Sequence, residues 1–185
     1  MRITLIGLIF SALGSTACAT AAQEPAPQLP APAVSAEIRL SDGSPAGRVS
    51  MQRGPYGLLF RIEGENWPQG WHGAHLHAVG TCEGPGFQSA GGHVNHPQNQ
   101  RPHGLLNFQG GPDHGDLQNV YAHADGTARA EVYLSGAGLG GNFDMADGDG
   151  LALVIHANAD DHTTQPIGGA GDRIACAVLV PGSAD

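Results

Sequence analysis

Between His72 and Asp116 the chain carries His72, His75, His77, His93, His96, His103 and His114 together with Asp113 and Asp116, a concentration of imidazole and carboxylate that reads as a metal site. In Gly73-Ala74-His75-Leu76-His77 the two-residue period of an extended strand sends His75 and His77 to one face and Leu76 to the other, so both imidazoles can meet one ion. His93, His103 and His114 follow in a loop rich in Gly, Pro, Asn and Gln, at spacings too wide for a helix face, and such a loop must fold back over the strand. Farther on, the apolar run 151–155 ends in His156, so a second strand delivers another imidazole, and Asp160 lies just beyond it. Imidazole suits copper and zinc, and carboxylate added to several imidazoles suits the tetrahedral shell of zinc. The inventory fits two metal positions.

The elements that must hold these residues are short and alternating. Residues 36–40, 47–53 and 57–63 each alternate apolar and polar side chains as half-buried strands do, and Ser-Asp-Gly-Ser-Pro and Gly-Pro-Tyr-Gly lie between them as hairpin turns. Residues 67–71 interrupt the pattern before the His75 strand, and the long histidine loop runs from Gly80 to about Gln118. Strands resume at 119–124 and 127–134, a hairpin with Asp125-Gly126 at its tip, then at 151–156 and 173–180. Asp147-Gly148-Asp149-Gly150 lacks the spaced carboxylates of a calcium loop and reads as a plain turn. About eight strands and no convincing helix predict an all-β fold, an eight-stranded Greek-key sandwich or flattened barrel with long metal-binding loops.

At 185 residues with 41% hydrophobic content the chain can bury one sizeable core, which favours a single domain over residues 34–185. All eight basic residues are arginine and the formal net charge is −9, which excludes a nucleic-acid surface. Arg2, the apolar stretch 3–13 and the small residues after it predict a secretory signal over 1–22, too short to span a membrane stably. An alternative is cleavage before Cys18 with lipid attached to that cysteine, as in bacterial lipoproteins. Residues 23–33 are rich in Pro and Ala and predict an extended tether, which suits an anchored protein. Cys82 and Cys176 then remain, and in an oxidising compartment an even pair is most simply one disulfide.

From about residue 34 to residue 180 the chain resembles the bacterial copper–zinc superoxide dismutases. The resemblance rests on Gly73-Ala-His-Leu-His77, Gly80-Thr-Cys82, Ser89-Ala-Gly-Gly-His93, His103-Gly104, Gly115-Asp-Leu117, Val154-Ile-His156 and Gly168-Gly-Ala-Gly-Asp-Arg-Ile-Ala-Cys176, in that order. It implies that His75, His77, His93 and His156 bind copper, that His93 also binds zinc through its other ring nitrogen, and that His103 and Asp116 are zinc ligands. It further implies a Cys82–Cys176 disulfide, an Asp160 that links ligands of both metals, and an Arg173 beside copper that attracts and orients superoxide. The implied reaction is dismutation of superoxide to oxygen and hydrogen peroxide by alternating reduction and oxidation of copper, with His93 released from copper to carry a proton. Such an enzyme would work in the periplasm, soluble or lipid-anchored, as a homodimer or a monomer, and protect the cell envelope.

One position departs from the family pattern. Its usual histidine three residues before the zinc-binding aspartate is here Asp113, while His114 lies two before Asp116. Three imidazoles with one carboxylate are the usual shell, so His114 is the expected fourth zinc ligand and Asp113 the alternative, with His96 a more distant substitute. His72, His123 and His162 read as surface residues. A chain that buffers copper or zinc without turnover, and a sandwich with a vestigial site, are the rivals. Retention of all four copper-type histidines and Arg173 argues against both.

Overall fold

A computed structural model describes residues 34–95, 99–138 and 145–183. The signal, the tether, Cys18 and His96 lie outside these residues. Among the described residues nine strands form one antiparallel sheet: β1 Val34–Leu40, β2 Pro45–Gly54, β3 Gly57–Gly64, β4 Gly70–His72, β5 Ala74–His77, β6 Val120–Ala122, β7 Ala128–Ser135, β8 Leu151–His156 and β9 Arg173–Val180. Their order across the sheet is β4-β6-β7-β3-β2-β1-β9-β8-β5, a nearly closed Greek-key barrel. The Gly-Pro-Tyr-Gly turn closes the β2–β3 hairpin with Gly54 paired to Gly57, and Asp125-Gly126 closes β6–β7.

The ninth strand arises where the sequence showed only an interruption. Strands β4 and β5 are separated by Gly73 alone, yet β4 pairs with β6 and β5 with β8, so the chain changes neighbours there and turns a corner of the barrel. A Cβ on Gly73 would lie 3.0 Å from that of Ala170, so the corner leaves little room for a side chain.

Alternation fills the interior. Val49 and Met51 of β2, Leu58, Phe60 and Ile62 of β3, Leu76 of β5 and Leu151, Leu153 and Ile155 of β8 all point inward and are buried, with Trp67 closing one end by donating its Nε1–H to the Ala46 carbonyl at 3.0 Å. Strand β8 is buried on both faces. Its other face, Ala152 and Val154, packs on Phe87, Ala90 and Cys176, so the loop after β5 lies over the outside of the barrel. The Cys82–Cys176 disulfide, with Cα atoms 5.8 Å apart and a sequence separation of 94, fastens that loop to β9. Closing so long a loop stabilises by roughly 4–5 kcal/mol on the chain-entropy account.

Candidate metal centre

The site sits on the outer face of β5 and β8, and the strand register puts it there. His75 is paired with Val154 and His77 with Ala152, and cross-strand partners share a face, so both imidazoles emerge beside His156. The small side chains opposite them leave the space the rings need. A register shift between Ile155 and His156 pairs His156 with Arg173 in place of Ile174, and this bulge turns the arginine toward the same face.

Two loop segments cover the free edge of β5. Residues 115–117 run along its first half, where Leu76 N donates to Gly115 O and Leu117 N to Ala74 O, which sets Asp116 opposite His75. Residues 90–94 run along its second half, with Ala78 N bonded to Gly92 O and Val94 N to Leu76 O, which sets His93 opposite His77. The long loop thus folds back over the strand.

Each of four imidazoles is held by one ring nitrogen and leaves the other unmatched. His75 Nε2 meets Asp160 Oδ2 at 2.8 Å, His77 Nδ1 meets Gly91 O at 2.9 Å, His156 Nδ1 meets Gly171 O at 3.0 Å and His93 Nδ1 meets Asp113 Oδ2 at 2.9 Å. Among the described residues, His75 Nδ1, His77 Nε2, His156 Nε2 and His93 Nε2 are buried with no hydrogen-bond partner. Four buried lone pairs turned into one small space are what a copper ion would satisfy, and ligand atoms of these four residues lie within 4.8 Å of one another.

A second group, His93, His103, Asp113 and Asp116, adjoins the first through His93. His103 Nδ1 and Asp116 Oδ1 are 2.5 Å apart, yet neither atom makes a hydrogen bond, because they converge on a common point and do not face each other. That geometry fits a cation between them. Asp160 joins the two groups, with one oxygen on His75 and the other 3.1 Å from His103 Nε2. Gly168, in the left-handed region at φ 59°, makes this possible, since a Cβ there would lie 1.6 Å from Asp160 Oδ1. Asp113 joins this second group, whereas His114, among the described residues, joins none of the converging groups; all three of Asp113, His114 and Asp116 border a cavity of about 530 Å³ with Leu105, Pro112 and Tyr133.

Charge divides the site. Burial holds the His77 imidazole down at about 2 and that of His156 at about 3, with nearby cations adding to the effect, and burial likewise lowers His75 despite its bond to Asp160. Burial also pulls on His103 and His93, but the negative charge of adjacent aspartates outweighs it: His103 is pushed up to about 10 by Asp116 and Asp160, and His93 is raised by Asp113 and Asp116. Asp116 and Asp160 are buried, which alone would raise them, yet their histidine partners hold both carboxyls well below the usual range.

An open cleft of about 1030 Å³ leads to His77, His93 and His156 and is lined by Arg101 and Arg173 as well as Asp147 and Asp172. Arg173 donates from Nη1 to Phe87 O and from Nη2 to Gly91 O, both at 2.7 Å, so the disulfide-fastened loop fixes its plane.

Three positioning residues escaped the sequence reading. Asn119 brackets Asp160, accepting from its N–H and donating to its C=O, both at 2.8 Å. Gln165 brackets His103 in the same way, at 3.0 and 2.7 Å. His72, expected at the surface, is 2% exposed, and its ring nitrogens lie 2.7 Å from His156 O and 2.7 Å from Pro68 O. His162 is half-buried beside Asn119 and Asp160, while His123 is exposed as expected. No spacing announces an amide that clamps a backbone 41 or 62 residues away.

A nearly closed Greek-key barrel that carries two adjoining histidine–aspartate groups on its outer face defines a two-metal β-barrel protein. A family model described as copper/zinc superoxide dismutase matches residues 46–179, and the chain belongs to that family. It is 48% identical over 147 residues to the copper–zinc superoxide dismutase of Caulobacter vibrioides, covering 78% of this chain and 83% of that one. Superoxide dismutase 1 of Aquifex aeolicus is 36% identical over 147 residues, covering 78% and 85%. Among solved structures, a double mutant of a SOD-like protein from Bacillus subtilis superposes with a TM-score of 0.73 at 34% identity, covering 78% of this chain and 95% of that one. The Cu/Zn superoxide dismutase from Brucella abortus gives 0.61 at 28% identity, covering 78% and 97%.

Proposed function

We propose that this protein is a copper–zinc superoxide dismutase, which takes two superoxide ions and two protons to one oxygen and one hydrogen peroxide. The observation that carries this reading is the set of four buried, unmatched ring nitrogens, three of them on histidines that line an open cleft with Arg173. Copper held by His75, His77, His93 and His156 supplies a one-electron couple, and zinc held beside His93 supplies a fixed charge.

The chain's own residues do the rest. His75, His77 and His156 are locked in one tautomer by Asp160 and by the carbonyls of Gly91 and Gly171, so they present lone pairs without rearrangement. His93 is the imidazole whose two nitrogens face the two groups, and its Nε2 is placed to carry a proton into the cleft. Arg173 spends two donors on carbonyls and keeps others of its five N–H groups for a small anion, a local positive field set against a net charge of −9.

The Cys82–Cys176 disulfide supports an oxidising compartment, and with the predicted export signal it supports work in the periplasm, as a soluble or Cys18-anchored protein that protects the cell envelope. Either a monomer or a homodimer accommodates this site, since every residue named in it comes from one chain. The test is the copper content of the purified protein together with its rate of superoxide removal. Fast removal that tracks copper is expected; copper bound without turnover would leave a metal-buffering protein.

A further inference from the structure

We infer that the second metal position of this chain is built from two imidazoles and two carboxylates, with Asp113 and not His114 as the fourth ligand, and that it therefore admits harder divalent ions, manganese(II) among them, more readily than a three-imidazole site would. The inference rests on the metal-centre reading above and deepens it.

Two carboxylates are each held by the backbone at one oxygen; the other oxygen of Asp116 is unmatched, and that of Asp113 is bonded to His93 Nδ1. Asp116 Oδ2 accepts from the backbone N–H of Gly104 at 2.7 Å and of Asp113 at 3.1 Å, which leaves Oδ1 buried and unmatched. Asp113 Oδ1 accepts from Gly115 N at 2.9 Å, which aims Oδ2 at His93 Nδ1. In each residue the backbone holds one oxygen and the other points into the space shared with His93 and His103. Asp113 is 5% exposed, so its charge is buried among these groups, and a divalent ion is the partner that offsets two carboxylates at once.

Among the described residues His114 belongs to none of the groups whose ligand atoms converge. Gly115 next to it lies so close to Leu76 that a Cβ would sit 2.4 Å from the Leu76 carbonyl oxygen, so the turn is pinned against β5. Exchanging an imidazole for a carboxylate makes the donor set harder, and hard donors favour manganese(II) relative to zinc even though zinc remains the tighter ion.

The test uses the full chain stripped of metal, with zinc and manganese(II) affinities read by competition against a chromophoric chelator, and copper uptake at the four-histidine set followed separately by its visible absorption. Asp113→Asn is expected to weaken zinc by more than about 100-fold, beyond the roughly 10- to 100-fold cost of losing an outer partner of His93. His114→Ala is expected to leave zinc within about 3-fold, the range of a substitution away from the site. Asp113→His is expected to raise the preference for zinc over manganese(II) by about 10-fold. Zinc weakened by His114→Ala as much as by Asp113→Asn, or a preference that Asp113→His leaves unmoved, would overturn the inference. Failure of the unaltered chain to take up copper would instead count against the dismutase reading and leave the zinc comparison to stand or fall alone.

Discussion

The two walls of the metal centre are made of the same side chain and behave in opposite ways. On one wall His75, His77 and His156 are neutral imidazoles held by burial; on the other His103 is pushed up to about 10 and His93 is raised. The rings are close neighbours, with His75 and His93 centroids 4.2 Å apart and His93 and His103 5.3 Å apart. Carboxylates decide the difference. His77 and His156 lean on backbone carbonyls and His75 on one carboxylate, whereas His103 and His93 each lie beside two, Asp116 with Asp160 for the first and Asp116 with Asp113 for the second. One wall is thus ready for a metal that wants neutral nitrogen, and the other is an anionic pocket that holds protons until a metal displaces them.

Breaking one wall should leave the other standing. The largest effect is expected for His156→Ala, which removes a copper-wall nitrogen: superoxide removal should fall by more than about 100-fold while zinc content persists. Metal analysis alongside the rate assay checks both halves. Asp160→Ala breaks the comparison itself, because its two oxygens serve His75 and His103. Copper and zinc should both weaken, each by roughly 10- to 100-fold, and a loss confined to one metal would count against the bridging role.

Acid should sharpen the contrast in the metal-free chain. His77 and His156 have folded values below the unfolded value of about 6.5, so between about pH 6.5 and 3 the unfolded chain takes up protons that the folded one refuses. Stability therefore falls as pH drops through that window, by up to ~1.4 kcal/mol per pH unit for each histidine. His103 acts in the reverse sense: its contribution is present below about 6.5 and is lost as pH rises toward 10. Denaturant melts across the range read both slopes. The smallest effect is expected for Arg173→Gln, which removes no imidazole or carboxylate of either wall and touches the copper wall only through the Gly91 carbonyl it shares with His77. Turnover should drop by about 10-fold and its salt dependence flatten, with metal content unchanged.

Much of this was visible in the chain. The period of two in His75-Leu76-His77, the apolar run into His156 and the loop returning over the strand all follow from strand geometry, and the barrel follows from alternation and turn residues. What escaped depends on the path of the backbone between those points. Whether Asp113 or His114 faces His103 is set by how the turn is pinned against Leu76, and adjacent residues compete on equal terms in the sequence. His72 was expected on the outside because it lies an odd number of residues from His75. That parity holds only within one strand, and Gly73 ends the strand, so the ring lies buried against the edge of Trp67. Asn119 and Gln165 act through amide pairs that only the closed loops bring together. Asp147 met expectation as a plain turn, accepting from Asp149 N and Gly150 N.

The central claim is that His93 belongs to both walls at once. It is tested most directly by loading the metal-free chain with one equivalent of copper(II), recording its electron paramagnetic resonance spectrum, and then adding zinc. A nitrogen-rich copper signal that changes shape when zinc arrives is expected, because the shared imidazole is then held from both sides. A copper signal that zinc leaves untouched, with zinc shown to be bound, would contradict it.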